Sequence, residues 1–312
     1  MLSGVPDYTL RQLEYFVAVA DAGTVTGAAA QVHLSQSAMS TSLAELERTL
    51  GVQLVLRHHA RGITLTPAGQ QLLVEARRLL SQAGDLESLA SHLGGEVSGE
   101  LTLGCFAILA PYVVPELLTT AAQTLPELTL STVEESHDQL TDSLVSGRIE
   151  LALGYDLAEQ PELDKQELCT VAPHVVLPVD HRLARRRKVS LTALADEALV
   201  LLDLPHSRDY FAHLFEASGV VPIVRYRTHS AELARALVAR GGGYTLLNLR
   251  PRTTVSLDGL PYAVVPLDVP LPAAESRLRV VLMRVAGSRP TRRAQALAGL
   301  CRDVVPALMR QS

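Results

Sequence analysis

Cysteine, histidine and basic clusters are the features of this 312-residue chain that could carry chemistry. Cys105, Cys169 and Cys301 are odd in number and widely spaced, with no CxxC pair, so neither a disulfide framework nor a zinc knuckle is indicated and a reducing compartment fits. Cys105 could act as a redox sensor only with a resolving thiol at hand; none is close in sequence, and a buried core thiol is expected. His137, His206 and His229 all fall in loops, where a metal or pH role is conceivable, but lone loop imidazoles are ordinarily solvated. No metal and no cofactor are expected. The motifs GxSxG, SxxK, HExxH and GxxxxGK[ST] are absent, and Gly241-Gly242-Gly243 precedes a strand where phosphate cradling needs a helix. The expectation is a non-enzyme. Arg185-Arg186-Arg187-Lys188 reads as an exposed loop.

Those groups sit in an ordinary globular background. Hydrophobic residues make up 47% and charged residues 20%, far from the regime of disorder. The length allows about two domains, each with its own core. A formal charge of -5, from 28 Lys+Arg and 33 Asp+Glu, argues at first sight against a polyanion binder. The start, Met-Leu-Ser-Gly-Val-Pro-Asp-Tyr, has no basic stretch before an apolar one, and no apolar run approaches the roughly 18 residues of a membrane span. Neither export nor membrane insertion is expected, and the cytoplasm is the expected location.

The first ninety residues read as helices. Thr9-Leu-Arg-Gln12 is a capping box opening a helix with Leu10, Leu13, Phe16, Val17 and Ala20 on one face, stopped by Gly23. Thr24 can cap a short alanine-rich helix, and Ser35 a third with Met39, Leu43, Leu46 and Leu50 at helical spacing, stopped by Gly51. Two short helices at a tight turn form a helix-turn-helix pattern. Leu54–Arg57 and Gly62–Leu65 can pair as a wing. Thr66-Pro67 starts a long helix to about Leu93, in which Leu72, Ala76, Leu79, Ala83, Leu86, Ala90 and Leu93 repeat at 4, 3, 4, 3, 4, 3. That seam implies a coiled-coil dimer, unless it packs on its own domain.

The pattern changes near Gly94-Gly95-Glu96-Val97-Ser98-Gly99, where the main linker is placed. Strand and helix then alternate over Leu101–Phe106, Pro111–Gln123, Leu128–Glu134, Asp138–Ser146 and Leu151–Tyr155, the grammar of a doubly wound α/β domain. Further strands are expected near Val175, Val200, Val224, Leu246 and Val280, with helices at Arg208–Ala217, Ala231–Ala239 and Thr291–Leu308. A proline-rich crossing is expected at Pro261–Pro272. Crossings near Ala172-Pro173 and Pro270–Pro272 suggest two α/β lobes.

Thr9 to Gly23, Ala28-Ala29, Leu34-Ser35-Gln36-Ser37-Ala38-Met39-Ser40, Leu46-Glu47, Leu50-Gly51, Arg57 and Leu65-Thr66-Pro67-Ala68-Gly69 closely resemble the DNA-binding region of LysR-type transcriptional regulators. Gly147-Arg-Ile-Glu-Leu-Ala-Leu-Gly154 and His181-Arg-Leu-Ala184 resemble, more loosely, recurring segments of that family's effector domain. The resemblance implies an α/β chain with an N-terminal winged helix-turn-helix at 1–66, a dimerising linker helix at 67–93 and a two-lobed effector-binding domain at 98–312, of periplasmic-binding-protein type 2 fold. Lobe I would take about 98–172 and 273–312, and lobe II about 173–272. The implied function is effector-dependent regulation of transcription; a solute-binding or catalytic α/β protein is the competing class.

A major groove admits one helix, so the third helix would offer Gln36, Ser37, Ser40 and Thr41 to base edges. Thr24, Thr26 and Ser35 could bond phosphate while also capping helices, and Arg57, His58, His59 and Arg61 make a basic wing. Thr41 and Ser42 stand where relatives often carry a basic residue and glutamine, Ser37 replaces a common proline, and Gly27 replaces a longer polar residue, so base preference does not transfer. Residues 1–92 carry six arginines and eight acids. Affinity must therefore come from placement and from two copies per dimer, or more in a tetramer.

In open α/β lobes, ligands sit beyond the carboxyl ends of strands, near helix N-termini. His137, Ser207, Arg208, Thr228, Ser230 and Asn248 fall there. Backbone N–H groups at Ser207–Asp209 would suit a carboxylate or sulfonate. Ile108, where relatives frequently have Ser or Thr, shifts preference toward a less polar ligand. The expected partners are double-stranded DNA, a small organic anion, further copies of the chain as dimer and tetramer, and RNA polymerase, with no membrane.

Overall fold

The structure is a computed structural model. It describes residues 7–58, 62–91 and 97–310, without the side chains of residues 85 and 87–91. His59, Arg61, Leu93 and the linker residues Gly94 to Glu96 therefore lie outside the described residues, as does the side chain of Ala90.

The head begins with α1 (Leu10–Ala22), α2 (Val25–Gln31) and α3 (Gln36–Leu50). Each starts where its cap stands. Thr9 and Gln12 form the reciprocal capping box, Thr24 Oγ1 accepts from Gly27 N, and Ser35 Oγ accepts from Ala38 N. Gly23 and Gly51 take the left-handed conformation that ends α1 and α3. Leu13, Phe16, Val19, Ala28, Met39, Leu43 and Leu46 bury the inner faces in one core.

The wing is β1 (Val55–His58) antiparallel to β2 (Gly62–Leu65). It is fixed at two ends. Glu47 of α3 accepts from Leu54 N at 2.7 Å and Val55 N at 3.1 Å, and Ile63 N donates to Gly23 O at 2.8 Å. Thr66 then caps α4 (Pro67–Ser91) by accepting from Gly69 N, and its hydroxyl donates back to Gln53 O. A Cβ on Gly69 would lie 2.1 Å from Leu54 O, so this junction needs glycine.

The heptad seam of α4 divides. Ala76 is buried and Leu72 half-buried in the head's own core, together with Leu73 and Leu80. Leu79 and Leu86 are left exposed, Leu86 by 67%.

Beyond the linker, β3 (Gly99–Phe106), β4 (Leu128–Glu135), β5 (Leu151–Tyr155), β6 (Leu163–Val171) and β13 (Leu278–Val285) form one sheet ordered β4-β3-β5-β13-β6. β3 runs parallel to β4 and β5, while β13 is antiparallel to β5 and β6. Helices α5 (Ala110–Thr124), α6 (His137–Val145) and α10 (Arg292–Arg310) belong to this lobe.

After Val171 the chain enters a second sheet through β7 (His174–Pro178), with β8 (Val189–Ser190), β9 (Ala198–Leu202), β10 (Ile223–Thr228), β11 (Thr245–Leu247) and β12 (Tyr262–Asp268). The order β11-β7-β12-β8 is joined to β10-β9 by the Leu199–Tyr244 bridge. α7 (Ser207–Ala217) and α8 (Ala231–Ala239) complete the lobe, and the short α9 (Ala273–Ser276) leads back into β13. Elements β6, β8, β12 and α9 are not expected from sequence, and the two longest have a physical reason. The stretch expected as a proline-rich crossing contains β12, because exposed Pro266 sits where β8 has not yet begun to pair. The edge strand β6 carries Asp164, Lys165, Gln166 and Glu167 in succession, a polarity that hides a strand.

Candidate DNA interface and effector cleft

The first turns of α3 leave Gln36, Ser37 and Thr41 exposed and Ser40 half-buried, while Met39 and Leu43 face the core. That division follows from helical spacing. Ser35 Oγ and Ser37 Oγ are 3.0 Å apart, and Thr41 Oγ1 donates to Ser37 O at 3.0 Å. Gln36 and Ser40 have no hydrogen bond from their side chains among the described residues. Thr24 and Thr26 are exposed at α2, and Arg57 is exposed on the wing. His58 is held by Thr64 at 2.9 Å.

The second site lies between the lobes. The carboxyl ends of β3, β5, β9 and β11 deliver Ile108, Tyr155, Leu202, Leu247 and Asn248 to a single cavity of about 20 Å³, and α7 and α8 add Ser207, Phe211 and Arg235. This is the place where open α/β sheets bind ligands. The volume is that of about one water, so the cleft is closed.

Three contacts hold it shut. His206 Nε2 lies 2.9 Å from Asp138 Oδ1, Arg235 Nη2 donates to Tyr112 Oη at 2.8 Å, and Tyr210 Oη donates to Ser276 O at 2.7 Å. Asn248 Nδ2 donates to Tyr210 Oη at 3.0 Å. His206 adopts a left-handed φ of 62°, a strained conformation for a non-glycine residue, and thereby turns its ring toward lobe I.

The polar groups lining this space are incompletely paired. Arg235 is 1% exposed; it pairs with Glu232 and donates to Leu249 O at 3.1 Å, yet its Nε has no partner. Tyr155 Oη is also buried without a partner, and burial raises that phenol well above its ordinary value. His137 is buried with Nε2 on Tyr155 O and Nδ1 unpartnered; burial depresses its pKa and favours the neutral ring. Its ring packs 5.7 Å from Phe106 and 5.8 Å from His206.

Ser207 and Asn248, named from sequence, line the cavity, and His137 stands behind Tyr155. The other named residues are turned to local partners. Arg208 is exposed and bonds Asp203, Thr228 Oγ1 accepts from Ser230 N, and Ser230 caps α8 by accepting from Leu233 N. The N–H groups of Ser207 and Arg208, expected to cradle an anion, instead donate to Pro205 O and Leu204 O in the turn that His206 creates. Arg235 is a cleft residue not expected from sequence, although an arginine among the apolar positions Ala231, Ala234 and Val238 of α8 is a detectable signal. His229 is exposed, and among the described residues no group of three His, Cys, Asp or Glu could hold a metal ion.

Residues 10–70 match the bacterial regulatory helix-turn-helix protein of the lysR family, and residues 94–306 match the LysR substrate binding domain. The chain belongs to the LysR family of transcriptional regulators. It is 32% identical over 239 residues to the hydrogen peroxide-inducible genes activator of Pectobacterium carotovorum, covering 76% of this chain and 79% of that one. The DNA-binding transcriptional dual regulator OxyR of Escherichia coli is also 32% identical, with 76% and 78% covered. Among solved structures, the LysR family regulator HinK of Pseudomonas aeruginosa superposes with a TM-score of 0.63 at 31% identity, over 98% of this chain and 100% of that one. This LysR-family chain therefore combines the winged head with a two-lobed effector-binding domain, and no helix among its described residues is long and apolar enough to cross a membrane.

Proposed function

We propose that the regulator reads duplex DNA through the exposed N-terminal face of α3 and binds a small organic anion between its lobes. The unengaged side chains of Gln36 and Ser40, with Ser37 and Thr41 beside them, carry the DNA assignment. Gln36 has the donor and acceptor pair that suits adenine, worth about 1–3 kcal/mol of discrimination. Thr24, Thr26, Ser35, Arg57 and Arg61 bond phosphates, which positions the head without specifying bases. Two heads act together through a dimer made by α4, whose exposed Leu79 and Leu86 suit a second copy, and dimers pair into a tetramer.

Arg235 supports an anionic effector, since a buried guanidinium with a free N–H needs an acceptor. Ser207 and Asn248 supply neutral hydrogen bonds, and Ile108, Leu202 and Phe211 an apolar wall. Entry requires the lobes to part. Arg208, Thr228 and Ser230 line the path at the N-termini of α7 and α8, where opening exposes them further. The peroxide in the relatives' names is not assigned to this chain: burial raises the Cys105 thiol, lifts Cys169 to about 11 and Cys301 to about 12, and leaves little reactive thiolate.

A duplex selected by the full chain from a randomised pool tests the DNA reading. Gln36→Ala should relax preference at one position of each half-site. Arg57→Ala should weaken binding to all sequences alike and lower the salt slope by about 0.9 for each phosphate left without its cation. Failure to enrich any sequence would refute the reading.

A further inference from the structure

One helix touches both ends of the signalling problem. α6 starts in the cleft: Ser136 caps it, His137 packs among Phe106, Tyr155 and His206, and Asp138 makes the 2.9 Å contact to His206 of the opposite lobe. Its C-terminal end, nine residues on, faces the head. There Ser146 O accepts from Arg77 Nη1 at 2.7 Å, and the other terminal nitrogen of Arg77 pairs with Asp21 of α1. From its place on α4, Arg77 thus bonds lobe I and the head at once, with its side chain 9% exposed.

The surroundings make this contact decisive. Gly147, directly after α6, takes a left-handed φ of 69°, and a Cβ there would meet the Arg77 side chain at 3.5 Å and Val74 O at 3.6 Å. α4 therefore rests closely on the end of α6. A second polar contact, from Ser81 Oγ to Glu150 at 2.8 Å, is reinforced by Arg293, which donates to Ser81. Around these few bonds lies an open groove of about 820 Å³ between α1, α4 and lobe I, so much of the surface where head meets sensor is left unpacked. Polar clamps beside open space can exchange partners without rebuilding a core, whereas packed interfaces resist small shifts.

We propose that α6 is a lever between the effector cleft and the DNA-binding head, with Arg77 as the positioning residue at its head end. Opening the lobes releases Asp138 from His206 and lets α6 shift against the sheet of lobe I. Ser146 moves with it and draws Arg77 away from Asp21. With that clamp broken, the head changes its angle to lobe I. The inference rests on the cleft being the effector site, but its test needs no effector.

Asp138→Ala breaks the cleft contact directly. Two readouts apply to the full chain: affinity for the pool-selected duplex, and the separation of spin labels on exposed positions Gln31→Cys and Glu167→Cys. Asp138→Ala should change affinity by up to about fivefold, the limit set by a solvent-exposed ion pair, and should shift the label separation. In the Arg77→Met background, which keeps the aliphatic stem, the Asp138→Ala effect on both readouts should vanish, so that the double variant matches Arg77→Met alone. Asp21→Ala, which spares Ser146, should also uncouple the head. Persistence of the full Asp138→Ala effect in both backgrounds would overturn the lever, as would an Asp138→Ala variant that moves neither readout. If no duplex is selected, the DNA reading fails, and the label separation still decides the lever.

Discussion

His174 offers a quantitative check on the crossover between the lobes. It opens β7 immediately after the chain leaves lobe I, is 2% exposed, and has both ring nitrogens without partners. Burial, aided by the charges of Arg250 and Arg235, lowers its pKa from 6.5 to about 3. The unfolded chain takes up this proton near pH 6.5 and the folded chain does not until about pH 3. The stability gained from a neutral His174 is fully present above pH 6.5 and is lost as pH falls through that window. Between pH 7.5 and pH 5 the loss is about 2 kcal/mol, from ~1.5 pH units at 1.36 kcal/mol each. His137 acts in the same direction. Urea unfolding of full-length wild type and His174→Leu at both pH values measures it: the variant should lose about 2 kcal/mol less on acidification. Equal pH dependence in the two proteins would refute a buried neutral imidazole at this crossover.

Two further outcomes are expected. Among the cysteines, buried Cys105 and Cys301 should react with a thiol reagent at native pH only on the timescale of local unfolding, and half-buried Cys169 slowly; replacing all three with serine should leave effector-dependent DNA binding intact, as gel shift would show. Replacing exposed Leu79 and Leu86 with glutamate should shift the chain toward monomer in sedimentation while sparing the head's fold, because neither belongs to the head core, unlike Leu73 and Ala76.

The head was legible from sequence because its boundaries are chemical and local. Thr9, Thr24, Ser35 and Thr66 each accept from a backbone N–H three residues on, and Gly23 and Gly51 close their helices in the left-handed region. The cleft was legible only as a neighbourhood. Ser207 and Asn248 line it, but Thr228 and Ser230 spend their hydroxyls on the turn and cap before α8, the competition that short polar side chains commonly win. Arg235 escaped notice because an arginine on a helix reads as solvent-facing, whereas its burial depends on Tyr112, more than a hundred residues away. The Arg77 clamp joins groups 56 and 69 residues apart, with no local pattern to announce it.

The net charge of -5 bears on how such a lever could matter. Before Pro67 the head has four arginines, and the exposed first turns of α3 present neutral hydroxyl and amide groups. Little of its affinity can therefore come from counterion release, and one head alone should bind weakly. Arg77, the next cation along the chain, is turned inward to Asp21 and Ser146 and is withheld from DNA. Affinity then depends on two heads engaging one duplex together, an advantage that disappears once their spacing forbids it. A weakly charged head is thus more exposed to a change of angle than a strongly basic one, whose phosphate contacts would hold it to DNA in either arrangement.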